Sequence, residues 1–467
     1  MNFFGYFCVV VAVVAACADA ATKKEWASRT IYQVLTDRFA TPSGSAPSCD
    51  LSKYCGGMFK GIQNKLDYIQ GMGFDAIWIS PIVKNTDQGY HGYWAQDITA
   101  INEHFGTLSD LVSLHNAMQN RGMYLMIDVV ANHMGNPRQA GSYGEFVPFN
   151  SVEHYHDCNG CPRSCDIENW NNQPEVEHCR LSGLPDLNQT NSFVRQNLIK
   201  YIKSLAADNC EGLRIDTIAE VEKPFWKELQ EAIGKFAIGE NYNGDISYVS
   251  GYQGCLDSVL SYPMYFTMRD VFANGASMRN LGSRLQDDEK YFKDTSVLGT
   301  FIDNHDQARF LSYQSDSWKY RNALVFTLFS TGIPIIYYGT EQGFKGGDDP
   351  KNREPLWSSN YNTNTELYQF LKTSIAARKK EAVWNHQLVE RYQDDEFYAF
   401  TRGNTLVITT NKGYNANEIT RTITYHPYSV GTKLCNIYWP NDDCVTVNSN
   451  GITVTLHHGE PKVYVVA

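Results

Sequence analysis

The sequence predicts a (β/α)8 barrel interrupted by one long excursion and followed by an antiparallel β-sandwich domain. Two observations carry this. Eight short, nearly continuous apolar runs alternate with amphipathic stretches up to Tyr338, and after Trp384 the pattern changes to short alternating runs. Apolar strands separated by helices imply a parallel sheet buried on both faces, and eight such units close into a barrel more readily than they form an open sheet.

The predicted barrel strands are 31–35, 76–80, 124–130, 212–216, 236–239, 258–262, 298–303 and 333–338, each rich in β-branched or aromatic residues. Between them, helical periodicity is clearest at 61–72, 108–120 and 193–208. The stretch from Val130 to Gly212 is rich in Asn, Pro and Cys, with helix only in its second half. It is far longer than an ordinary connection and predicts a lobe beside the functional face. Alternation at 397–401, 405–410, 421–425, 451–456 and 462–466 predicts the terminal β domain. The expected division is a leader at 1–20, a barrel at 21–131 and 189–384, an inserted lobe at 132–188 and a β-sandwich at 385–467.

Composition narrows the function. With 43% hydrophobic and 19% charged residues among 467, the chain can bury large cores. Its 51 acids outnumber 40 bases and no basic block occurs, which argues against nucleic acid or an anionic membrane as partner. Aromatics reach 13%, led by 29 Tyr, a supply of flat faces for neutral ligands as well as for cores. Residues 9–18 form an apolar run too short to span a bilayer, and Ala18-Asp19-Ala20 fits a leader cleavage site, although no Lys or Arg precedes the run. Secretion, or delivery to a secretory or digestive lumen, is therefore expected. Cys8 and Cys17 lie in the leader, so ten of the twelve cysteines remain, enough for five disulfides. Cys49 and Cys55 enclose one short loop, and Cys435 and Cys444 another. Cys158, Cys161, Cys165 and Cys179 cluster, as disulfides or as a four-thiolate zinc site. Cys210 and Cys255 are left over.

Acids stand where predicted strands end: Asp128, Asp216, Glu240, Asp303 and Asp306. Barrel active sites are built at that face. One such acid is as readily a helix cap, but several converging with His133, Arg214 and His305 suggest catalysis.

The segments Asp128-Val-Val-Ala-Asn-His133, Gly212-Leu-Arg-Ile-Asp216, Gly239-Glu240 and Phe301-Ile-Asp-Asn-His-Asp306 resemble, in order, the motifs of the α-amylase family, glycoside hydrolase family 13. Leu35-Thr-Asp-Arg-Phe39, Tyr90-His-Gly-Tyr-Trp94, Leu184-Pro-Asp-Leu187 and Gly332-Ile-Pro-Ile-Ile-Tyr-Tyr-Gly339 are similar to its fungal-type branch. The resemblance spans the mature chain and weakens after Trp384. It implies a secreted, monomeric, endo-acting α-1,4-glucan hydrolase. Asp216 is then the nucleophile, Glu240 the acid/base and Asp306 the carboxylate that favours the distorted sugar ring, in a retaining double displacement. Arg214, two residues before Asp216 on one strand, faces the same way and holds the nucleophile as its carboxylate. The resemblance further places His133 and His305 on sugar hydroxyls, Tyr93 against the sugar ring, Trp94 in the lining, and Asp349 with Arg353 towards the non-reducing end. Plainer readings are a core aromatic beside Gly92 and a surface Asp–Arg ion pair.

A calcium ion is also implied, held by Asn132, Glu177, Asp186 and the backbone carbonyl of Glu220, all hard oxygen donors. The same resemblance pairs Cys165 with Cys179, leaving Cys158 with Cys161; a Cys210–Cys255 pair has no counterpart in the fungal pattern. Three departures stand out. Ala219-Glu220 replaces the Lys-His that follows the nucleophile in the fungal enzymes, Asn241-Tyr-Asn follows the acid, and Asn188 replaces an Asp while opening the glycosylation sequon Asn188-Gln-Thr190. They leave room for an α-glucosidase or transglycosylase of short maltooligosaccharides. A non-catalytic glucan-binding relative is disfavoured because all three carboxylates are present.

Overall fold

The structure is a computed structural model that describes residues 20–139 and 141–467. The expected leader lies outside the described residues except for Ala20. Among the described residues no helix is long and apolar enough to cross a membrane.

All eight predicted barrel strands form. They are β1 (Ile31–Gln33), β2 (Ala76–Ile79), β5 (Tyr124–Val129), β6 (Gly212–Ile215), β7 (Phe236–Gly239), β8 (Ser258–Val259), β9 (Gly299–Thr300) and β10 (Ile333–Tyr337), with a hairpin of β3 (Val83–Asn85) and β4 (Ala95–Ile101) between the second and third of them. The order is β8-β7-β6-β5-β2-β1-β10-β9, and every pairing within it is parallel. A parallel bridge from Leu260 to Gly299, with the Ser261 N–H donating to the Gly299 carbonyl at 2.8 Å, brings the two ends together. Most end one or two residues early, and two, β8 and β9, fall three or more residues short of expectation. A helix at Tyr262–Met268, opened by Pro263, takes over after β8. After β9, Asp303 turns aside to accept the Phe310 N–H at 2.6 Å and the Tyr320 hydroxyl.

Alternate residues of the strands feed two cores. Ile31, Ala76, Trp78, Met126, Ile238, Ile333 and Ile335 fill the barrel, while Tyr32, Ile77, Ile79, Leu125, Ile127 and Ile336 meet the surrounding helices. Trp26 plugs the amino-terminal end, stacked on Phe236 with centroids 5.1 Å apart. It requires glycine at position 212, where a Cβ would stand 2.6 Å from the indole. Trp26→Ala should cost about 3–5 kcal/mol. Denaturant unfolding checks this, and a loss under 1 kcal/mol would mean the end closes without the indole. The helix expected at 61–72 breaks at Lys65 (φ −112°, ψ 13°) into Phe59–Asn64 and Leu66–Gly71.

The C-terminal strands form a six-stranded antiparallel sheet, β11 (Leu388–Gln393), β12 (Phe397–Arg402), β13 (Thr405–Thr410), β18 (Lys462–Val466), β15 (Lys433–Asn436) and β16 (Cys444–Thr446) in that order. A separate antiparallel pair, β14 (Ile419–Ile423) and β17 (Ile452–Leu456), shares one core with it through Ala399, Ile408, Ile423 and Val454.

Cysteine pairing corrects the sequence reading. The bonds are Cys49–Cys55, Cys158–Cys165, Cys161–Cys179 and Cys435–Cys444. Thus neither Cys165–Cys179 nor Cys158–Cys161 forms, and a four-thiolate zinc site is ruled out. Cys179 buries inward with Ile167 and Val176, where Cys161 meets it, while Cys165 stays half-buried and takes Cys158. Cys210 and Cys255 are unpaired thiols, so the fifth disulfide is absent; Cys210 is fully buried at the end of the helix Ser192–Asn209 and Cys255 is half-buried in the turn before β8.

Candidate active site

The carboxyl ends of β5, β6, β7 and β9 and the loop carrying Tyr93 meet in a cleft of about 660 Å³. Arg214 lies beneath its floor, outside the lining. Fully buried, it donates from Nη1 to both oxygens of Asp128 at 3.0 Å and to Asp216 Oδ1 at 2.7 Å. Its Nη2 lies 2.7 Å from Glu240 Oε2. One planar guanidinium therefore bridges carboxylates delivered by three adjacent strands, a geometry its fixed fork suits. Asp128 is beneath the cleft rather than in it, held also by Trp78 Nε1 at 3.0 Å and the Tyr93 hydroxyl at 2.7 Å.

Glu240 accepts the Tyr262 hydroxyl at 3.1 Å, and Asn304 orients that hydroxyl from 2.9 Å. Burial, reinforced by the nearby charges of Asp216, Asp306 and Asp128 and opposed by Arg214, pushes the Glu240 carboxyl up to about 8. Asp306 keeps its side chain 37% exposed towards the cleft, with Arg353 Nη2 3.6 Å away. Burial raises its pKa against the pull of Arg353 and Arg214.

His305 accepts the Gln33 amide at Nδ1 (2.8 Å), which leaves the hydrogen on Nε2, 3.3 Å from Asp306 Oδ2. Burial holds the imidazole well below its usual pKa and hence neutral. Its ring lies parallel to Tyr93, 5.2 Å between centroids. His133 Nε2 lies 3.2 Å from the Tyr93 carbonyl. Arg353 is buried rather than a surface cation: it bonds Asp349 (2.9 Å), the Tyr90 hydroxyl (3.1 Å) and the His305 carbonyl (3.0 Å). Trp94 and Asp349 complete that wall.

Asp303, grouped with these acids by its strand-end position, points away to Phe310 and Tyr320 and serves the fold. Conversely, the sequence reading missed Gln33, which sets the His305 tautomer, and Tyr262, which holds Glu240. It also missed Trp170 and Tyr242, 52% and 58% exposed on the cleft wall. The high aromatic content hinted at both, and Tyr242 also stands in the Asn241-Tyr-Asn departure that follows the acid.

The calcium donors divide. The Asn132 amide oxygen, Asp186 Oδ1 and the Glu220 carbonyl converge at 3.1 Å with no donor between them, an arrangement that suits a hard cation. With the amide turned, its nitrogen donates to Asp186 Oδ1 and to the Glu220 carbonyl at 3.1 Å each and its oxygen accepts from His133 Nδ1, so the three groups also satisfy one another without an ion. Glu177 reaches the same turn by another route, since Gln173 Nε2 bridges Glu177 Oε1 (2.7 Å) and the Ala219 carbonyl (3.0 Å). Among the described residues no three His, Cys, Asp or Glu side chains cluster as a metal site. An ion here would be held by the Asp186 carboxylate together with amide and carbonyl oxygens. The Glu220 side chain turns into the cleft, where burial and the charge of Asp216 push it up to about 8.

A parallel barrel with an acid-lined cleft at its carboxyl face places the protein among the (β/α)8-barrel glycoside hydrolases. The alpha amylase, catalytic domain family matches residues 33–396. Alpha-amylase 1 of Lipomyces kononenkoae is 42% identical over 403 residues, 82% of this chain, and the chain spans 62% of that relative's length. Alpha-amylase 2 of Schwanniomyces occidentalis is 38% identical across 96% of this chain and 92% of its own. The solved structure of an alpha-amylase from Malbranchea cinnamomea superimposes with a TM-score of 0.90 at 40% identity, covering 96% of this chain and 98% of its own. The chain belongs to the α-amylase family.

Proposed function

We propose that the protein is a secreted, endo-acting α-1,4-glucan hydrolase working by retaining double displacement. The observation that carries this reading is the buried Arg214 guanidinium spanning, at 2.7 Å each, Asp216 and Glu240, which line an aromatic-walled cleft above it. Retaining chemistry needs two carboxyl groups close together in opposite protonation states. Asp216, ion-paired with Arg214, attacks the anomeric carbon. Glu240, protonated at neutral pH, gives its proton to the leaving oxygen and then takes one from the incoming water. Asp306, His133 and His305 bind hydroxyls of the sugar at the cleavage point, Tyr93 and Trp94 face its ring, and Asp349 with Arg353 continue the wall. The four disulfides support an extracellular or lumenal location. The division into barrel, inserted lobe at 132–188 and β-sandwich, and action as a monomer, belong to the same reading.

A time course on soluble starch, resolving product size and anomer, tests it. Mixed α-anomeric oligosaccharides should appear early. Glucose alone, or products longer than the substrate, would favour the α-glucosidase or transglycosylase reading. Ala219 and Glu220 on the cleft wall, where the fungal enzymes carry Lys-His, are, with Asn188, the observations behind that alternative.

Asn132, Asp186 and the Glu220 carbonyl, with Glu177 beside them, fit a calcium ion that ties the excursion to the turn after β6. The ion supplies structural cross-linking there. At a free concentration about 100-fold above its dissociation constant it would add about 2.7 kcal/mol. Chelation should therefore lower the melting temperature by several degrees, restored by calcium and not by magnesium. An unchanged melting curve would remove calcium from the reading.

A further inference from the structure

A second aromatic site lies outside the cleft, at the seam between barrel and C-terminal domain. Trp318 and Trp439 line one side of a cavity of about 280 Å³, their ring centroids 6.3 Å apart and their planes inclined at 48°. Trp439 is 38% exposed. The indole N–H groups of Trp26, Trp78, Trp226 and Trp357 donate within the fold, whereas those of Trp318 and Trp439, like those of Trp94 and Trp170 in the cleft and of Trp384, find no protein acceptor among the described residues. Arg321 covers one face of Trp318, leaving the other to the cavity.

Both platforms are fixed. Trp439 sits in the loop between β15 and β16, closed by the Cys435–Cys444 disulfide. Trp318 lies in the first turn of the helix Ser317–Phe329, whose cap Asp316 accepts the Trp318 backbone N–H at 2.9 Å. The second oxygen of Asp316 accepts the Tyr414 N–H, also at 2.9 Å, across the domain seam. That approach needs Gly413, since a Cβ there would stand 2.0 Å from Asp316. Tyr414, 58% exposed, stacks on His458 and extends the aromatic surface. Such rigidity lowers the entropy cost of binding.

The chemistry selects a neutral ligand. The cavity's one Lys side chain, Lys462, is spent on Asp443 at 2.8 Å. Asp442 stands exposed at the rim, so a polyanion is repelled while sugar hydroxyls find an acceptor. Apolar indole faces suit the faces of sugar rings. Two inclined platforms fit a chain whose successive rings turn, as in an α-1,4-glucan, better than a flat one. The helix bearing Trp318 follows β9, which places its first turn at the carboxyl end of the barrel, the end that carries the cleft. We propose that Trp318 and Trp439 form a non-catalytic binding site for α-1,4-glucan, which holds the polymer near the cleft and raises its local concentration. The proposal rests on the reading of the cleft as glucan-hydrolysing.

The test uses the full chain with calcium present. β-Cyclodextrin, a curved α-1,4-glucan, is titrated calorimetrically while acarbose saturates the cleft. Wild type should bind it. Trp439→Ala and Trp318→Ala should each weaken binding roughly tenfold or more, while Trp439→Phe retains most of it. Turnover of a 4-nitrophenyl maltoheptaoside should be unchanged in all three, and KM for glycogen should rise in the Ala variants. Cyclodextrin binding absent from wild type, or untouched by both Ala variants, overturns the second site. A wild type that turns over no maltooligosaccharide overturns the reading of the cleft instead, while the difference in cyclodextrin binding between wild type and the two Ala variants, which share that cleft, still decides the second site.

Discussion

Glu240→Gln is expected to lower kcat by roughly 10²–10⁴ while leaving oligosaccharide binding within a fewfold of wild type. The amide matches the carboxyl in size and can still accept the Tyr262 hydroxyl, so the pocket's shape is kept. What it lacks is a transferable proton. The wild-type pH profile should report the same group. With its carboxyl pushed up to about 8, Glu240 remains the acid through neutral pH, and kcat/KM should fall as pH rises through about 8. The variant's residual activity should lack that limb. The stability sign follows: above 4.5 and below about 8 the folded state holds a proton that the unfolded chain has released, so this group's contribution to stability falls as pH rises across that window. Product assays and acarbose titration separate the two effects. A variant within tenfold of wild type would falsify the acid/base role.

The barrel was legible because its strands are buried on both faces. Runs such as those in β2 and β10 leave no polar face to confuse the period. The same rule explains the miss at β11, whose six residues are all half-buried and whose sequence, Leu-Val-Glu-Arg-Tyr-Gln, shows no alternation. The site was legible where motif and strand end coincide, as at Asp216 and Glu240. It was less so in the Phe301–Asp306 segment, where Asp303 and Asp306 stand three residues apart and only packing against Phe310 and Tyr320 assigns the first to the fold. Cysteine connectivity resisted for a related reason. Spacing sees the distance along the chain from Cys165 to Cys179 but not the inward turn that gives Cys179 to Cys161. Gln33 was invisible because its role depends on which nitrogen of His305, far along the chain, carries the hydrogen.

Arg214→Met is the second large effect to expect, and it differs in kind from loss of the acid. In the wild type one guanidinium with no exposed surface offsets the carboxylates of Asp128 and Asp216 and holds the Glu240 carboxyl beside them. Methionine keeps much of the volume and removes the charge, leaving three buried acids without a cation. Breaking a buried pair in this way costs about 3–5 kcal/mol, mostly as the uncompensated charge. The acids can relieve that cost by taking up protons, so the deficit against wild type should shrink as pH falls and grow as pH rises. A cavity or packing defect would be indifferent to pH. Turnover should fall at least roughly hundredfold, since a protonated Asp216 cannot attack and a displaced one is out of line. Arg214→Lys restores the charge without the fork and should recover stability more than activity, because an ammonium cannot bridge Asp216 and Glu240 in one plane. Melting curves at several pH values, read beside kcat, decide the matter. Equal losses at every pH would assign Arg214 to packing. A Lys variant as active as wild type would show that charge alone, rather than the bridging geometry, sets the two carboxylates in their roles.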